Sequence, residues 1–360
     1  MKFLDLFAGI GGFRLGMESA GHECIGFCEI DKFARASYKA IHDTKGEIEL
    51  HDITRVTDES IRRIGRVDAI CGGFPCQAFS IAGNRRGFED TRGTLFFEIA
   101  RFASILRPQY LFLENVKGLL NHENGITFET IISTLDELGY DVEWQVLNSK
   151  DFGVPQNRER VFIIGHLRGE CTRRVFPLGG ESQSTSSQSV VKIGNVNPSG
   201  NGMNGEVYQA DGLAPTLTTN KGEGQKIAIK SNTIKQFGVL QPNFNQCGVV
   251  YETDGIAPTI RAYQGGGLEP KIIQRGHGYN QGGVHEIAPT LTSNSYHENN
   301  HLSFGYRIRK LTPRECWRLQ GFPDWAFDKA QEVNSNSQLY KQAGNSVTVN
   351  VIAAIAKELE

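Results

Sequence analysis

The sequence predicts an α/β protein: a mostly parallel sheet with helices on both faces, plus a smaller, irregular β-rich domain. Three observations predict it. Short apolar strands alternate with helical patterns through the first 165 residues, as βαβ units require. From about Gly179 to Asn300 the composition shifts to Gly, Ser, Asn, Gln and Thr, with few helix formers. Helical patterning then returns at Thr312.

The elements follow in order. An apolar strand over Phe3–Phe7 runs through Ala8-Gly9-Ile10-Gly11-Gly12 into a helix near Phe13–Ala20. A second strand, Glu23–Glu29, precedes a helix near Phe33–Ile41. The third strand, Ala69–Phe74, ends in Gly72, Gly73 and Pro75. A helix over Thr94–Leu106 leads to the strand Tyr110–Val116, and a helix over Phe128–Leu138 leads to strands Asp141–Leu147 and Val161–Gly165. Two last helical patterns cover Thr312–Leu319 and Val347–Leu359. The organisation expected is an α/β domain over 1–175, a β-rich domain over 176–325, and a segment 326–360 that returns to the first domain.

The middle region contains an internal repeat: Gly212-Leu213-Ala214-Pro215-Thr216-Leu217, Gly255-Ile256-Ala257-Pro258-Thr259-Ile260 and Glu286-Ile287-Ala288-Pro289-Thr290-Leu291. The units recur after 43 and then 31 residues, too irregular for a solenoid. Tyr and β-branched residues punctuate them, so short strands on long loops fit better than a disordered linker.

Bulk properties exclude several classes. Hydrophobic content of 39% and charged content of 22% describe an ordinary globular chain. No apolar stretch approaches the roughly 18 residues needed to span a bilayer, and no signal peptide is read at the N-terminus. Seven scattered cysteines suggest neither a disulfide framework nor a zinc site, so no metal is expected and the reducing cytoplasm is the expected compartment. A net charge of −2 means that any nucleic-acid surface must be local, with Arg307, Arg309, Lys310, Arg314 and Arg318 as its candidates.

The candidate chemistry sits at strand ends. Cys76 follows Pro75 just past a buried strand, at the rim where open α/β sheets bind ligands. Pro75 fixes its own φ and holds Phe74 extended, so the chain leaves the strand in a defined direction. Glu114 ends another apolar strand at the same rim, which is costly unless the carboxylate is used or paired. A thiol and a carboxylate meeting there suggest covalent nucleophilic catalysis. Arg158 and Arg160, at i and i+2, share one face, placed either to clamp an anion or to bond the carboxylate. The glycines at 9, 11 and 12 allow close backbone approach to a ligand at a helix N-terminus. Glu29, twenty residues past Gly9, is placed to bond a ribose hydroxyl, and Asp52 is a candidate for an adenine amino group. The glycine spacing departs from GxGxxG, so an adenosine-containing cofactor is indicated rather than a dinucleotide.

These segments, in this order, resemble the DNA (cytosine-5) methyltransferases. The resemblance rests on Phe7-Ala8-Gly9-Ile10-Gly11-Gly12, Gly73-Phe74-Pro75-Cys76-Gln77-Ala78-Phe79-Ser80, Glu114-Asn115-Val116, Gln156-Asn157-Arg158-Glu159-Arg160 and Gln342-Ala343-Gly344-Asn345-Ser346-Val347. Arg92-Gly93-Thr94-Leu95-Phe96-Phe97 and Leu311-Thr312-Pro313-Arg314-Glu315-Cys316 add to it. It covers 1–165 and 306–360, and is similar to bacterial restriction–modification enzymes such as the one that methylates the inner cytosine of GCGC.

The resemblance implies a Rossmann-like sheet that binds S-adenosylmethionine and acts on double-stranded DNA. Cys76 would add to C6 of a flipped cytosine, Glu114 would bond N3 and the exocyclic amine, and Arg158 or Arg160 would favour the thiolate. Phe7, Ala8, Gly9, Gly11, Gly12, Glu29, Ile30, Asp52, Ile53, Leu95, Asn345 and Ser346 would surround the cofactor. Pro75 would join them beside the flipped base. Gln77, Ser80, Gln246, Thr259, Tyr263 and Gly266 would lie on DNA. The domain over 1–175 would be the catalytic, cofactor-binding domain and that over 176–325 the target recognition domain, whose three repeats depart from the GCGC enzyme, which has one such unit. A monomer is expected, with any cognate restriction endonuclease acting separately. The rival readings are a tRNA methyltransferase with the same motifs, a non-catalytic DNA-binding protein, and an NAD-dependent oxidoreductase.

Overall fold

The computed structural model describes residues 1–75, 95–170, 172–179, 189–195, 206–210, 212–217, 226–230, 236–239, 249–251, 272–274, 283–285, 300–301 and 306–359. They divide into two compact units.

The larger unit is built on a seven-stranded sheet. Its strands are β1 (Lys2–Leu6), β2 (Glu23–Cys28), β3 (Ile48–Leu50), β4 (Ala69–Gly73), β5 (Tyr110–Val116), β6 (Tyr140–Asn148) and β7 (Glu159–Leu167), in the order β3-β2-β1-β4-β5-β7-β6. Strands β1 to β5 pair in parallel, whereas β7 is antiparallel to both neighbours. The link from β6 to β7 holds a single 3-10 turn, Ser149–Phe152, too short for a parallel crossover.

Alternation along each strand serves two cores. Leu4, Leu6, Ile70, Leu111 and Ile163 face α4 (Leu95–Leu106) and α5 (Ile126–Glu137). Phe3, Cys71, Phe112 and Ile164 face the other side, where α1 (Gly12–Ser19) meets α9 (Val349–Ala356). Burial on both faces is why these strands read as continuous apolar runs. Helices α1 and α9 lie so close that a Cβ on Gly16 would be 2.5 Å from the Ile352 side chain.

The expected α/β fold is present, with additions. Helix α2 (Lys32–Ile41) follows β2, and strand β3 and the short α3 (Asp58–Arg62) join the first half. Among the C-terminal elements, α6 (Pro313–Leu319) begins with a capping box between Thr312 and Glu315. It is followed by α7 (Asp324–Val333) and α8 (Asn336–Asn345), neither foreseen. Trp317 is fully buried among them, edge-on to Phe322 and Phe327, with its indole N–H donating to Leu339 O at 3.0 Å. That packing ties α6 to α7 and α8. The larger unit comprises 1–189, 213–222 and 312–360, so its boundaries differ from 175 and 326.

The smaller unit, 190–212 and 223–311, holds short strands. One sheet orders β16 (Tyr306–Lys310), β10 (Lys226–Lys230), β9 (Glu206–Gln209) and β8 (Lys192–Asn195). A two-stranded pair joins β11 (Gln236–Val239) with β12 (Val249–Tyr251), and a third sheet orders β14 (Gly283–His285), β13 (Ile272–Gln274) and β15 (Asn300–His301).

Candidate active site

The strand order reverses between β1 and β4, and open α/β sheets bind ligands beyond the carboxyl ends at such a point. A cavity of about 460 Å³ lies there, closed on one side by Lys341–Ser346 at the end of α8. Phe7, Gly9, Glu29, Ile30, Asp52, Ile53, Pro75, Leu95, Glu114, Arg158, Arg160, Asn345 and Ser346 all line it. Ala8, Gly11 and Gly12 are not among the lining residues. Cys76, Gln77, Ser80, Gln246, Thr259, Tyr263 and Gly266 lie outside the described residues.

The glycines of the first turn divide by task. Gly9 has φ +57° and no atom within 4 Å of a built Cβ, so it leaves room for a ligand. Gly11, at φ +85°, would put a Cβ 2.1 Å from His42 Nε2, and one on Gly12 would meet Val347 and Ser346 at 2.8 and 2.9 Å. These two serve protein packing, not approach to a ligand. Burial, with Arg14 nearby, pushes His42 down to about 3, so the imidazole under the loop is neutral.

Glu29 receives two backbone donors: Gly9 N–H at 2.8 Å and Asp31 N–H at 2.7 Å, one to each oxygen. Each oxygen keeps a second lone pair, as bonding to paired hydroxyls requires. Burial raises its pKa against those amides. Asp52 caps a 3-10 turn, accepting from Thr54 N–H at 3.1 Å and Thr54 Oγ1 at 2.7 Å. The Thr54 hydroxyl holds its carboxyl below the usual range. Ile30 is 68% exposed at the rim, an apolar surface suited to a ring. Acidic groups, an open glycine and apolar walls fit an adenosine-containing cofactor.

At the other end of the cavity, Arg160 Nε lies 3.0 Å from Glu114 Oε1. Glu114 is buried, and burial raises its pKa although the Arg160 and Arg158 charges oppose the shift. A carboxyl with a raised pKa keeps its proton to higher pH than an exposed glutamate. Asn115, whose role the sequence does not reveal, holds Phe74 at the end of β4: its Nδ2 donates to Phe74 O at 2.9 Å and its Oδ1 accepts from Val116 N–H at 2.8 Å. Lys341 also reaches the rim, bonding Asp31 at 2.7 Å.

Arg158 directs its terminal nitrogens to the protein's own backbone. It is 3% exposed, and its terminal nitrogens donate to backbone carbonyls of Ser346 at 2.8 Å and of Gly344 and Leu217 at 3.3 Å. Among the described residues, Arg160 alone of the two pairs with Glu114. Arg314 and Arg318 are not free positive surface. Arg314 bonds Asp328 at 2.5 Å and stacks over Phe327, while Arg318 pairs with Asp324 at 2.6 Å. The side chains of Arg307, Arg309 and Lys310 lie outside the described residues.

Burial pushes the Cys24, Cys28 and Cys316 thiols up to about 12 and holds Cys71 well above the usual thiol range, which suppresses the thiolate. No group of His, Cys, Asp and Glu suited to a metal occurs among the described residues. No helix there is long and apolar enough to cross a membrane.

A family model described as C-5 cytosine-specific DNA methylase matches residues 1–360. The chain is 35% identical over 443 residues to the orphan methyltransferase M.SPRI of Bacillus phage SPR, covering 100% of this chain and 97% of that protein. It is 36% identical over 357 residues to the type II methyltransferase M.HhaI of Haemophilus parahaemolyticus, covering 99% and 93%. In fold it resembles the S. pombe Dnmt2 methyltransferase, with TM-score 0.59, 19% identity and 98% and 96% of the two chains covered.

Proposed function

The chain belongs to the C-5 cytosine-specific DNA methylase family, and from that premise we propose that it transfers a methyl group from S-adenosylmethionine to C5 of a cytosine flipped out of duplex DNA. One observation carries the finer reading: a single cavity joins Glu29 and Asp52 to the Glu114–Arg160 pair and to Pro75, the residue before Cys76.

S-adenosylmethionine supplies the electrophilic methyl group. Phe7, Gly9, Glu29, Ile30, Asp52 and Ile53 would hold its adenosine end, with Leu95, Asn345 and Ser346 around it. The Cys76 thiolate adds to C6 of the extrahelical base, which is unreachable while stacked. Glu114, carrying a proton, donates to N3 as negative charge develops on the pyrimidine and accepts from the exocyclic amine, and Arg160 holds that carboxyl in place. With C6 saturated, C5 takes the methyl group and S-adenosylhomocysteine is released; a base then removes the C5 proton, and the thiolate leaves as the C5–C6 double bond reforms. Gln77, Ser80, Gln246, Thr259, Tyr263 and Gly266 are the proposed DNA contacts, and self-marking in restriction–modification or phage protection is the proposed setting.

The test incubates the full chain with methyl-labelled S-adenosylmethionine and either duplex DNA or tRNA. Label is expected in 5-methylcytosine of the DNA. Cys76→Ser is expected to abolish transfer while retaining cofactor binding. Label confined to tRNA would overturn the substrate assignment, and undiminished transfer by Cys76→Ser would overturn the covalent route. Sequencing 5-methylcytosine in DNA from an expressing host reads the target site.

A further inference from the structure

The first of the three repeat units stands apart in the fold. Residues 213–222 belong to the larger unit, although the chain on both sides, 190–212 and 223–311, does not. Ala214 N–H donates to Pro155 O at 2.8 Å, and Asn157 N–H donates back to Ala214 O at 2.8 Å. Thr216 Oγ1 donates to Asn157 O at 2.8 Å, and Gln156 faces Ala214 across a parallel bridge. The unit is thus laid along the segment that leads into Arg158.

Arg158 extends the connection. One terminal nitrogen donates to Leu217 O, the last residue of the unit, and the other to Gly344 O and Ser346 O, in the cavity wall. Among the described residues no carboxylate forms an ion pair with it, and burial pushes it down to about 9, still protonated at neutral pH. A buried guanidinium has a planar fork of donors suited to several carbonyls at once, and here those carbonyls come from two segments far apart in the chain.

We propose that Arg158 is a positioning residue that couples the first repeat unit to the Gly344–Ser346 wall, so that this unit acts as a strap on the cofactor cavity rather than as a DNA reader. Its Thr216 hydroxyl and Ala214 amide are turned to the protein, so the DNA role proposed for Thr259 in the second unit does not transfer to Thr216. The effect on cofactor affinity rests on the function proposed above; the mechanical coupling does not.

Hydrogen exchange of the ligand-free full chain tests the coupling. Thr216→Val removes the hydroxyl's bond to Asn157 O without changing shape, and Ala214→Pro removes an amide donor; neither residue lines the cavity. Both are expected to raise exchange at 344–348 roughly two- to tenfold, the worth of one hydrogen bond, and Thr216→Ser is expected to restore the parent rate. Arg158→Lys is expected to raise exchange at both 213–217 and 344–348. In a second arm, calorimetry with S-adenosylhomocysteine is expected to show a similar loss of affinity in Thr216→Val. Parent-like exchange at 344–348 in Thr216→Val, or failure of Thr216→Ser to restore it, overturns the coupling. If S-adenosylhomocysteine does not bind the parent, the cofactor assignment falls while the exchange arm still decides the strap.

Discussion

Gly73 offers a way to move the Glu114 carboxyl without touching its chemistry. A Cβ on Gly73 would lie 3.0 Å from Glu114 Oε2 and 3.8 Å from both Phe13 and Val347. The last two are ordinary contacts, so only the carboxylate must shift, by about 0.4 Å to reach ordinary van der Waals separation. A misplacement of ~1 Å can cost roughly a hundredfold in rate; scaling the exponent, ~0.4 Å costs about fivefold to tenfold. Gly73 is not in the left-handed region, so alanine is sterically admissible and trims unfolded-state entropy by ~0.4–1 kcal/mol. Gly73→Ala is therefore expected to lower the single-turnover rate of methyl transfer about fivefold to tenfold with an unchanged or slightly higher Tm. Its neighbour should do the reverse. A Cβ on Gly72 would sit 2.7 Å from the Leu6 carbonyl of the adjoining strand, where overpacking costs ~1–3 kcal/mol; Gly72→Ala should lower Tm first. Measuring rate and thermal unfolding on both variants separates the two effects. A folded Gly73→Ala enzyme with the parent rate would refute the claim that the position of this carboxyl governs catalysis.

Two other perturbations follow from buried groups. Asn115→Ala strands Phe74 O and Val116 N–H, so urea unfolding should show a loss of roughly 2–4 kcal/mol along with slower transfer; a loss under ~1 kcal/mol would show that these bonds are replaced. Asp5 is fully buried, with Tyr38 OH 3.4 Å from one oxygen and, among the described residues, no partner for the other. Burial raises its pKa well above the usual range, against the opposing Arg14 charge. The folded state then binds more protons than the unfolded state between the two pKa values, and stability falls as pH rises through that window. Asp5→Asn removes this dependence: the stability of the variant relative to the parent should grow with pH from about 4 and level off above the folded pKa. A difference independent of pH would refute the buried-acid reading.

What the sequence revealed follows from what each residue must do locally. Strands β1, β4 and β5 are buried on both faces, so their apolar runs were plain, and the rim positions of Glu29, Glu114 and Pro75 followed from where the runs stop. Strand β3 has three residues and half-exposed side chains, too little pattern to register. Helix α8 buries Gln342 and Gly344 beside Leu339 and Ala343, so its inner face is not recognisably apolar. The task of Arg158 was illegible for another reason: its carbonyl partners stand 59, 186 and 188 residues away, and backbone acceptors leave no mark on residue type. Gly11 and Gly9 look alike in sequence, and only the approach of His42 tells them apart.

The packing of α1 against α9 has a bearing on how such a chain changes over time. The catalytic sheet is clasped by the first and last helices, with everything from 223 to 311 forming one long excursion between held ends. For an excursion held this way, doubling its length adds only about 0.6 kcal/mol of closure entropy. Repeat units can therefore be gained, lost or exchanged there at small thermodynamic cost, provided the unit at 212–217 keeps its place. The opposite burden falls on folding: the clasp cannot close until the final helix has been synthesised, so the nascent sheet must wait for its second face.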